Sequence, residues 1–492
     1  MSHIVGQLTI IFARRKETGI QTFFHFNNRF LQFLLSQGNW RNFSSSYQRY
    51  KISNTLSINQ LQSFQLFATV PIIDISLGSV QKRGHVDKRL DGGEILTIFA
   101  KKKSLMQNFD YMTPTRLIFG ENAIAKLHDV MAALGKKVLL TYGGGSIKKI
   151  GLYDHVLQLL SDFDITELPG IQPNPKYDPS VLEGVRLCKE NHIDVILSVG
   201  GGSVLDCSKA IAAGAKYEGD PWDLITYKVK AKAALPIVDI LTLAATGSEY
   251  DCGGVISRTD TNDKIGYMDP LLFPVCSILD PRYTFTVSKK QTAAGCADAM
   301  NHTIEQYFCE DTTLLNDGFC ESMLKSLMVN TRKCLENPED YTARAEMMLC
   351  CTYGCNGILS LGNSESGWPC HGIEHALSAY YDITHGEGLA IITPRWMQHI
   401  LNGRTLERFV KYGINVFGID AALPKQEIAQ KAIDATYAFF ESIGMPMHLR
   451  EVGIGEERLD EMAHHIAVNE GLENAYVPLT EKDIKEILVA SL

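Results

Sequence analysis

The sequence predicts an α/β half followed by a mostly helical half, and three observations carry that prediction. From residue 136 to about 280, short apolar runs alternate with helical patterns, the signature of a parallel sheet with crossover helices. After Pro281, apolar residues recur at helical spacing instead. Two Gly-Gly-Gly-Ser stretches, 143–146 and 200–203, each follow an apolar run, at the strand ends where parallel sheets bind ligands.

The expected strands are 137–142, 194–199, 236–242 and 275–280. The expected helices of the second half are 291–308, 316–335, 341–359, 406–417 and 425–443. Neither repeats nor a low-complexity linker separate the halves, so the division is expected near residue 285, with a cleft between the parts as the natural site. The organisation this gives is an extension at 1–105, a nucleotide-binding part at 106–285 and a helical metal-binding part at 286–492.

Residues 1–105 stand apart. They carry 14 Lys and Arg against 5 Asp and Glu, which leaves 33 against 51, or −18, for the rest of a chain whose net charge is −9. That acidic body argues against a nucleic-acid partner. The extension is rich in Ser, Asn and Gln, poor in acids and without sustained periodicity, which is the pattern of a disordered or irregular segment. Its first apolar run precedes Arg14, Arg15 and Lys16, the wrong order for a secretory signal. Two readings remain, a mitochondrial-type presequence or a start assigned too early; the second is preferred, because a coherent run begins at Met106.

At 492 residues and 45% hydrophobic composition the chain is long enough for two packed cores. All 12 cysteines fall between Cys188 and Cys370 in apolar segments without paired CxxC knuckles, so they are expected to be reduced core thiols, as in a cytoplasmic protein. The alternative location is mitochondrial, if the extension is a presequence. No run of 18 apolar residues occurs, so no spanning helix and no membrane partner are expected.

Gly143, Gly144, Gly145 and Ser146, with Gly201, Gly202 and Ser203, offer backbone N–H groups to phosphate oxygens, the second set ahead of a helix beginning near Val204. A lone GGGS is more often a tight turn; two after successive strands point to a dinucleotide. Thr242, Thr246 and Ser248 follow the third strand and offer hydroxyls on the same edge, though on local sequence Thr246 and Ser248 serve equally well as helix caps. Asn174, between Pro173 and Pro175, marks a stiff turn. No carboxylate follows the first strand, and Lys148 and Lys149 are close by, so NADP(H) is favoured over NAD(H).

In the helical half Asp298 and His302 are four residues apart, one turn along one helix face, and His371 and His375 repeat the spacing. His385 follows in a Thr-His-Gly turn. Any single histidine here is more often a satisfied core or surface residue, as is expected of His128, His155, His192, His399, His448, His464 and His465. Burying the whole group without a metal would be costly, and one carboxylate with imidazoles suits Fe(II) or Zn(II).

These motifs resemble the iron-containing alcohol dehydrogenases, and within them the clostridial-type butanol dehydrogenases. The likeness runs from about Asp110 to the C-terminus and rests on 142–146, 173–175, 200–203 with Asp206, 242–249, 298–302 and 370–386. It implies a Rossmann-like N-terminal domain and an all-helical metal domain, the dehydroquinate synthase-like fold. It further implies one divalent ion on Asp298, His302, His371 and His385, with His375 near the substrate oxygen and Lys264 near the cofactor ribose; because imidazole titrates near working pH, His375 is the expected catalytic proton carrier. The expected reaction interconverts a primary alcohol and an aldehyde such as butanol and butanal, in a homodimer or higher homo-oligomer. Rival readings are a polyol dehydrogenase or metal-dependent lyase of the same fold, or a non-catalytic scaffold.

Overall fold

Apolar runs closed by Gly or Asp become the strands of a six-stranded parallel sheet in the computed structural model, which describes residues 106–492 and four short strand segments, Arg15–Lys16, Gly19–Ile20, Asp87–Leu90 and Glu94–Thr97. Those four segments form two antiparallel pairs. The expectation of an irregular extension otherwise lies outside the described residues.

The sheet is built from β1 (Arg116–Phe119), β2 (Lys137–Tyr142), β3 (Asp164–Leu168), β4 (Val195–Gly200), β5 (Ile237–Leu241) and β8 (Cys276–Leu279), in the order β1-β8-β5-β4-β2-β3. Every pairing is parallel, so β2, β4 and β5 end on one edge. Both faces are covered. Val138, Leu140, Val195, Leu197, Val238 and Ile240 pack on one side, with α1 (Leu127–Ala132) and α2 (Leu152–Leu159). Leu139, Ile196 and Ile237 pack on the other, with α3 (Leu182–Asn191) and α4 (Gly202–Gly214). Burial on both faces is why the central strands read as continuous apolar runs.

The four expected strands are present, 137–142 with the expected ends and the other three with ends shifted by a residue. The edge strands β1 and β3 and the antiparallel hairpin of β6 (Gly253–Arg258) and β7 (Asp263–Met268) were not foreseen. β1 and β3 are half exposed and mix charged with apolar residues, which hides them beside the buried strands.

The helical half comprises α5 (Lys289–Tyr307), α6 (Leu314–Glu336), α7 (Tyr341–Gly354), α8 (Pro369–Tyr381), α9 (His385–Ile400), α10 (Leu406–Phe417), α11 (Lys425–Ser442), α12 (Leu459–Asn469) and α13 (Glu481–Ala490). α7 stops five residues before the expected end because Gly357 turns the chain with φ +88. His385, expected within a turn, is instead the first residue of α9, whose N-cap is Thr384. Ser288 caps α5, and every residue from Thr292 to Tyr307 is buried, so α5 is the central helix of this half. The twelve cysteines are free thiols, all buried except the partly exposed Cys252 and Cys355. Among the described residues no helix is long and apolar enough to cross a membrane.

Candidate metal and nucleotide site

The glycine turns sit at the carboxyl ends of β2 and β4. Gly201 is the N-cap of α4, thirteen residues long and without an acidic residue in its first turn, so its positive end faces the sheet edge. Gly202 has a packing reason to be glycine: a Cβ there would lie 2.6 Å from Thr246 Cγ2. Gly144 is exposed, with nothing within 4 Å of the point a Cβ would occupy, and Gly145 holds a left-handed φ of +96. Gly143 approaches the Ile171 carbonyl, and Ser146 and Ser203 begin helical turns on this edge. Lys148 lies over the Tyr153 ring at 4.4 Å.

Other expected nucleotide residues are engaged within the protein. Ser248 Oγ donates to Asp206 Oδ1 at 2.7 Å, and the backbone N–H of Val255 donates to Asp206 Oδ2 at 3.0 Å. Asp206 thus ties the hairpin to α4, and burial pushes its carboxyl up to about 6. Lys209, fully buried, donates to Ser248 and Asp251 beneath it. Thr246 Oγ1 accepts from the Ser248 N–H, a local turn contact rather than the expected helix cap, since Gly247 is the N-cap of the turn that follows, while Thr242 is buried and pairs its N–H with Gly200. The Asn174 amide donates to Asp382 and to the Ile383 carbonyl, and Lys264 donates to Glu374 at 3.0 Å.

Asp298, His302, His371 and His385 converge. Their imidazole Nε2 atoms lie 3.4, 3.8 and 3.7 Å from the same oxygen, Asp298 Oδ1. The edge of a tetrahedron with bonds of about 2.1 Å is about 3.4 Å; ligand atoms of Asp298, His371 and His385 all lie within 4.8 Å of one another, a spacing that suits one small ion, while His302 lies outside that mutual spacing with its Nε2 3.4 Å from Asp298 Oδ1. Three helices supply the pieces that meet here, α5 with Asp298 and His302, α8 with His371 and α9 with His385; Gly386 lets α9 approach α5, since a Cβ there would lie 2.7 Å from the Ala294 carbonyl carbon, one turn before Asp298. His302 and His371 stack with centroids 4.8 Å apart, and Trp368 stands edge-on to both.

Two buried carboxylates orient the imidazoles. Glu305 accepts from His371 Nδ1 and from the Cys370 N–H, and Glu374 accepts from His385 Nδ1, Lys264 and Ser378. An Nδ1–H held this way leaves the Nε2 lone pair free for a cation. Sequence reasoning missed both residues. Both had a signal: Glu305 lies seven residues from Asp298 and three from His302 on one helix, and Glu374 lies three residues from His371 on another.

Burial pushes the Asp298 carboxyl up, but His302, His385 and His371 outweigh it and hold it below the usual carboxylate range. Burial also lowers His302 and takes His385 down to about 4, whereas for His371 the Glu305 and Asp298 charges overcome burial and lift it to about 9. The residues fit a metal on two counts. Asp298 Oδ1 and His371 Nε2 are buried polar atoms without a hydrogen-bond partner. Asp298, Glu305 and Glu374 also place three buried carboxylates against one buried lysine, Lys264, an excess of negative charge that a divalent cation offsets. His375 lies beside this group, its ring centroid 5.9 Å from that of His385 and its Nδ1 3.8 Å from Glu470.

A glycine-lined helix terminus on a parallel sheet and a buried carboxylate–imidazole centre on helices are the parts of nucleotide- and metal-dependent oxidoreductases. Likeness to known proteins specifies the class further. A model of the iron-containing alcohol dehydrogenases matches residues 114–281, and one of the Fe-containing alcohol dehydrogenase C-terminal region matches residues 292–492. The chain therefore belongs to the iron-containing alcohol dehydrogenase family. It is 46% identical over 390 residues, 78% of this chain and 100% of the relative, to NADH-dependent butanol dehydrogenase A of Clostridium acetobutylicum. It is 40% identical to NADPH-dependent aldehyde reductase YqhD of Escherichia coli, over 71% of this chain and 90% of the relative. The crystal structure of NADH-dependent butanol dehydrogenase A from Thermotoga maritima superposes with a TM-score of 0.75 at 37% identity, covering 79% of this chain and 99% of the other. The fold is thus the α/β Rossmann-like plus all-helical arrangement of that family, and the protein is an alcohol dehydrogenase that uses a nicotinamide cofactor and an iron-type metal.

Proposed function

We propose that this enzyme is an NADP(H)-linked reductase of aldehydes to primary alcohols, of the butanal and butanol type, with its ion on Asp298, His302, His371 and His385. The convergence of three imidazole Nε2 atoms on Asp298 Oδ1 is the observation that carries the metal assignment. Two named relatives, a butanol dehydrogenase and an aldehyde reductase, support the substrate class. They differ between NADH and NADPH, so the preference for NADP(H) rests on the open, carboxylate-free space at Gly144 and on Lys148 and Lys149 nearby.

The bound groups supply Lewis acidity toward the carbonyl oxygen, as Fe(II) or Zn(II), and hydride from the nicotinamide. The chain's part is to hold and orient. Glu305 and Glu374 fix the tautomers of His371 and His385, and Trp368 walls the imidazoles on one side. Gly201, Gly202 and Ser203 present backbone donors to the pyrophosphate, Gly143, Gly144, Gly145 and Ser146 leave room for the 2′-phosphate, Thr242 and Thr246 lie toward the nicotinamide end with Ser248 behind them, and Lys264 lies near the ribose. Asp206 supports this edge through Ser248. His375, at the rim of the metal group, passes the proton to the product alkoxide. The protein works as a homo-oligomer, and Leu314 and Leu315, 84% and 64% exposed at the start of α6, support an apolar contact surface.

The test is NADPH and NADH oxidation with butanal, using metal-stripped protein reloaded anaerobically with Fe(II) or Zn(II), beside His302→Ala. The expected result is metal-dependent turnover that prefers NADPH and falls together with metal content in the variant; full turnover by metal-free His302→Ala would overturn the site. Turnover confined to vicinal diols or to lyase substrates would overturn the substrate class.

A further inference from the structure

We propose that Asn174 is a positioning residue for the metal centre, reaching from the α/β half to fix the turn that delivers His385. The inference rests on the metal-dependent reading above.

Asn174 is held rigidly before it contacts anything. It sits between Pro173 and Pro175 with a left-handed φ of +47, and the Pro175 carbonyl accepts the Ser257 N–H of β6 at 2.9 Å. Its side chain is 8% exposed and spends its Nδ2 group on one place: Asp382 Oδ1 at 3.0 Å and the Ile383 carbonyl at 3.1 Å. Lys176 Nζ meets the same Asp382 oxygen at 2.8 Å. Asp382 is itself left-handed, with φ +52, and closes α8 by donating its N–H to the Ser378 carbonyl at 2.9 Å.

Thr384, the N-cap of α9, and then His385 come directly after these two residues. The turn 382–384 is therefore the whole connection between the helix of His371 and the helix of His385. Glu374 fixes the His385 ring, but ring and backbone are separate requirements. Without Asn174 the Ile383 carbonyl keeps only the Ser378 hydroxyl, whose one hydrogen is also within reach of Glu374. A displacement of the turn would move His385 Nε2 from its place 3.7 Å from Asp298. The rival assignment, a direct nucleotide contact, has only the amide oxygen of Asn174 to use.

The two roles separate by measurement. Full-length wild type, Asn174→Ala, Asp382→Ala and Asp382→Asn would be loaded with Co(II). The visible ligand-field spectrum and the rate of Co(II) loss to EDTA would be recorded, and NADPH affinity measured by fluorescence in the same samples. Asn174→Ala and Asp382→Ala are expected to release Co(II) about tenfold faster or more, with altered band intensity, the scale found when groups that orient metal ligands are removed. Their NADPH affinity should stay within about twofold of wild type. Asp382→Asn is expected to keep most of the retention, since Asn tolerates the left-handed conformation and still offers an oxygen. Unchanged Co(II) release in Asn174→Ala, or a tenfold loss of NADPH affinity with normal release, would overturn the proposal in favour of a nucleotide role. If Asn174→Ala does not fold, Asp382→Ala decides by the same readings. A wild type that holds no Co(II) would instead remove the metal-dependent reading itself.

Discussion

Lys264 Nζ lies 3.0 Å from Glu374 Oε2, joining the hairpin strand β7 to helix α8, and the same carboxylate accepts from His385 Nδ1. Replacing Glu374 by Gln should weaken metal binding by about 10- to 100-fold, because the imidazole loses the acceptor that fixes its tautomer. Chelator competition on reloaded protein reads this directly. Metal affinity equal to wild type would show that Glu374 serves only the ion pair with Lys264.

Gly202 and Thr246 set a second limit. Gly202→Ala places a methyl 2.6 Å from Thr246 Cγ2, an overpacked contact that should destabilise the fold by about 1–3 kcal/mol in urea unfolding. Adding Thr246→Ala should recover most of that loss. Additive losses in the double variant would place the strain elsewhere.

Gly144 has open space around it, so Gly144→Asp should fold normally while placing a carboxylate where a 2′-phosphate would lie. The ratio of kcat/KM for NADPH over NADH should fall by tenfold or more. A constant ratio would remove Gly144 from cofactor choice.

Glu249 is buried beside Asp239, and Thr352 donates to its Oε1 at 2.6 Å. Burial, opposed by the Thr352 hydroxyl and reinforced by Asp251, raises its carboxyl to about 7 from the ordinary 4.5. The folded state therefore holds this proton more tightly than the unfolded state. Its contribution to stability is full below pH 4.5 and is lost as the pH rises through about 7. Glu249→Gln should thus gain in Tm over wild type as the pH goes from 5 to 8, about level at the acidic end. A Tm difference independent of pH would refute the shift.

The chain from Leu105 to Leu492 forms one compact unit. A protein starting at Met106 should fold and hold metal and NADPH as the full chain does, checked by circular dichroism and metal content. Loss of folding would assign residues 1–105 a structural part.

Much of the site was written in short-range spacing. Asp298 and His302 are a helical turn apart, so any helix there puts both on one face, and the glycine turns followed runs apolar enough to be read as buried strands. The edge strands β1 and β3 escaped because their one-sided burial leaves mixed composition. The sequence by itself determined the α/β-then-helical order, the glycine turns and the one-turn spacing of Asp298 and His302, since periodicity and local spacing are properties of neighbours along the chain; only the tertiary structure brings the Nε2 atoms of His371 and His385 to Asp298 Oδ1. Only the tertiary structure decided that Glu305 and Glu374 orient the imidazoles, that Asp206 and Ser248 bond each other, and that Asn174 faces Asp382. These pairings span 11 to 208 residues, and a carboxylate or amide has no local pattern that names its partner; packing of α5, α8 and α9 against one another and against the sheet selects it.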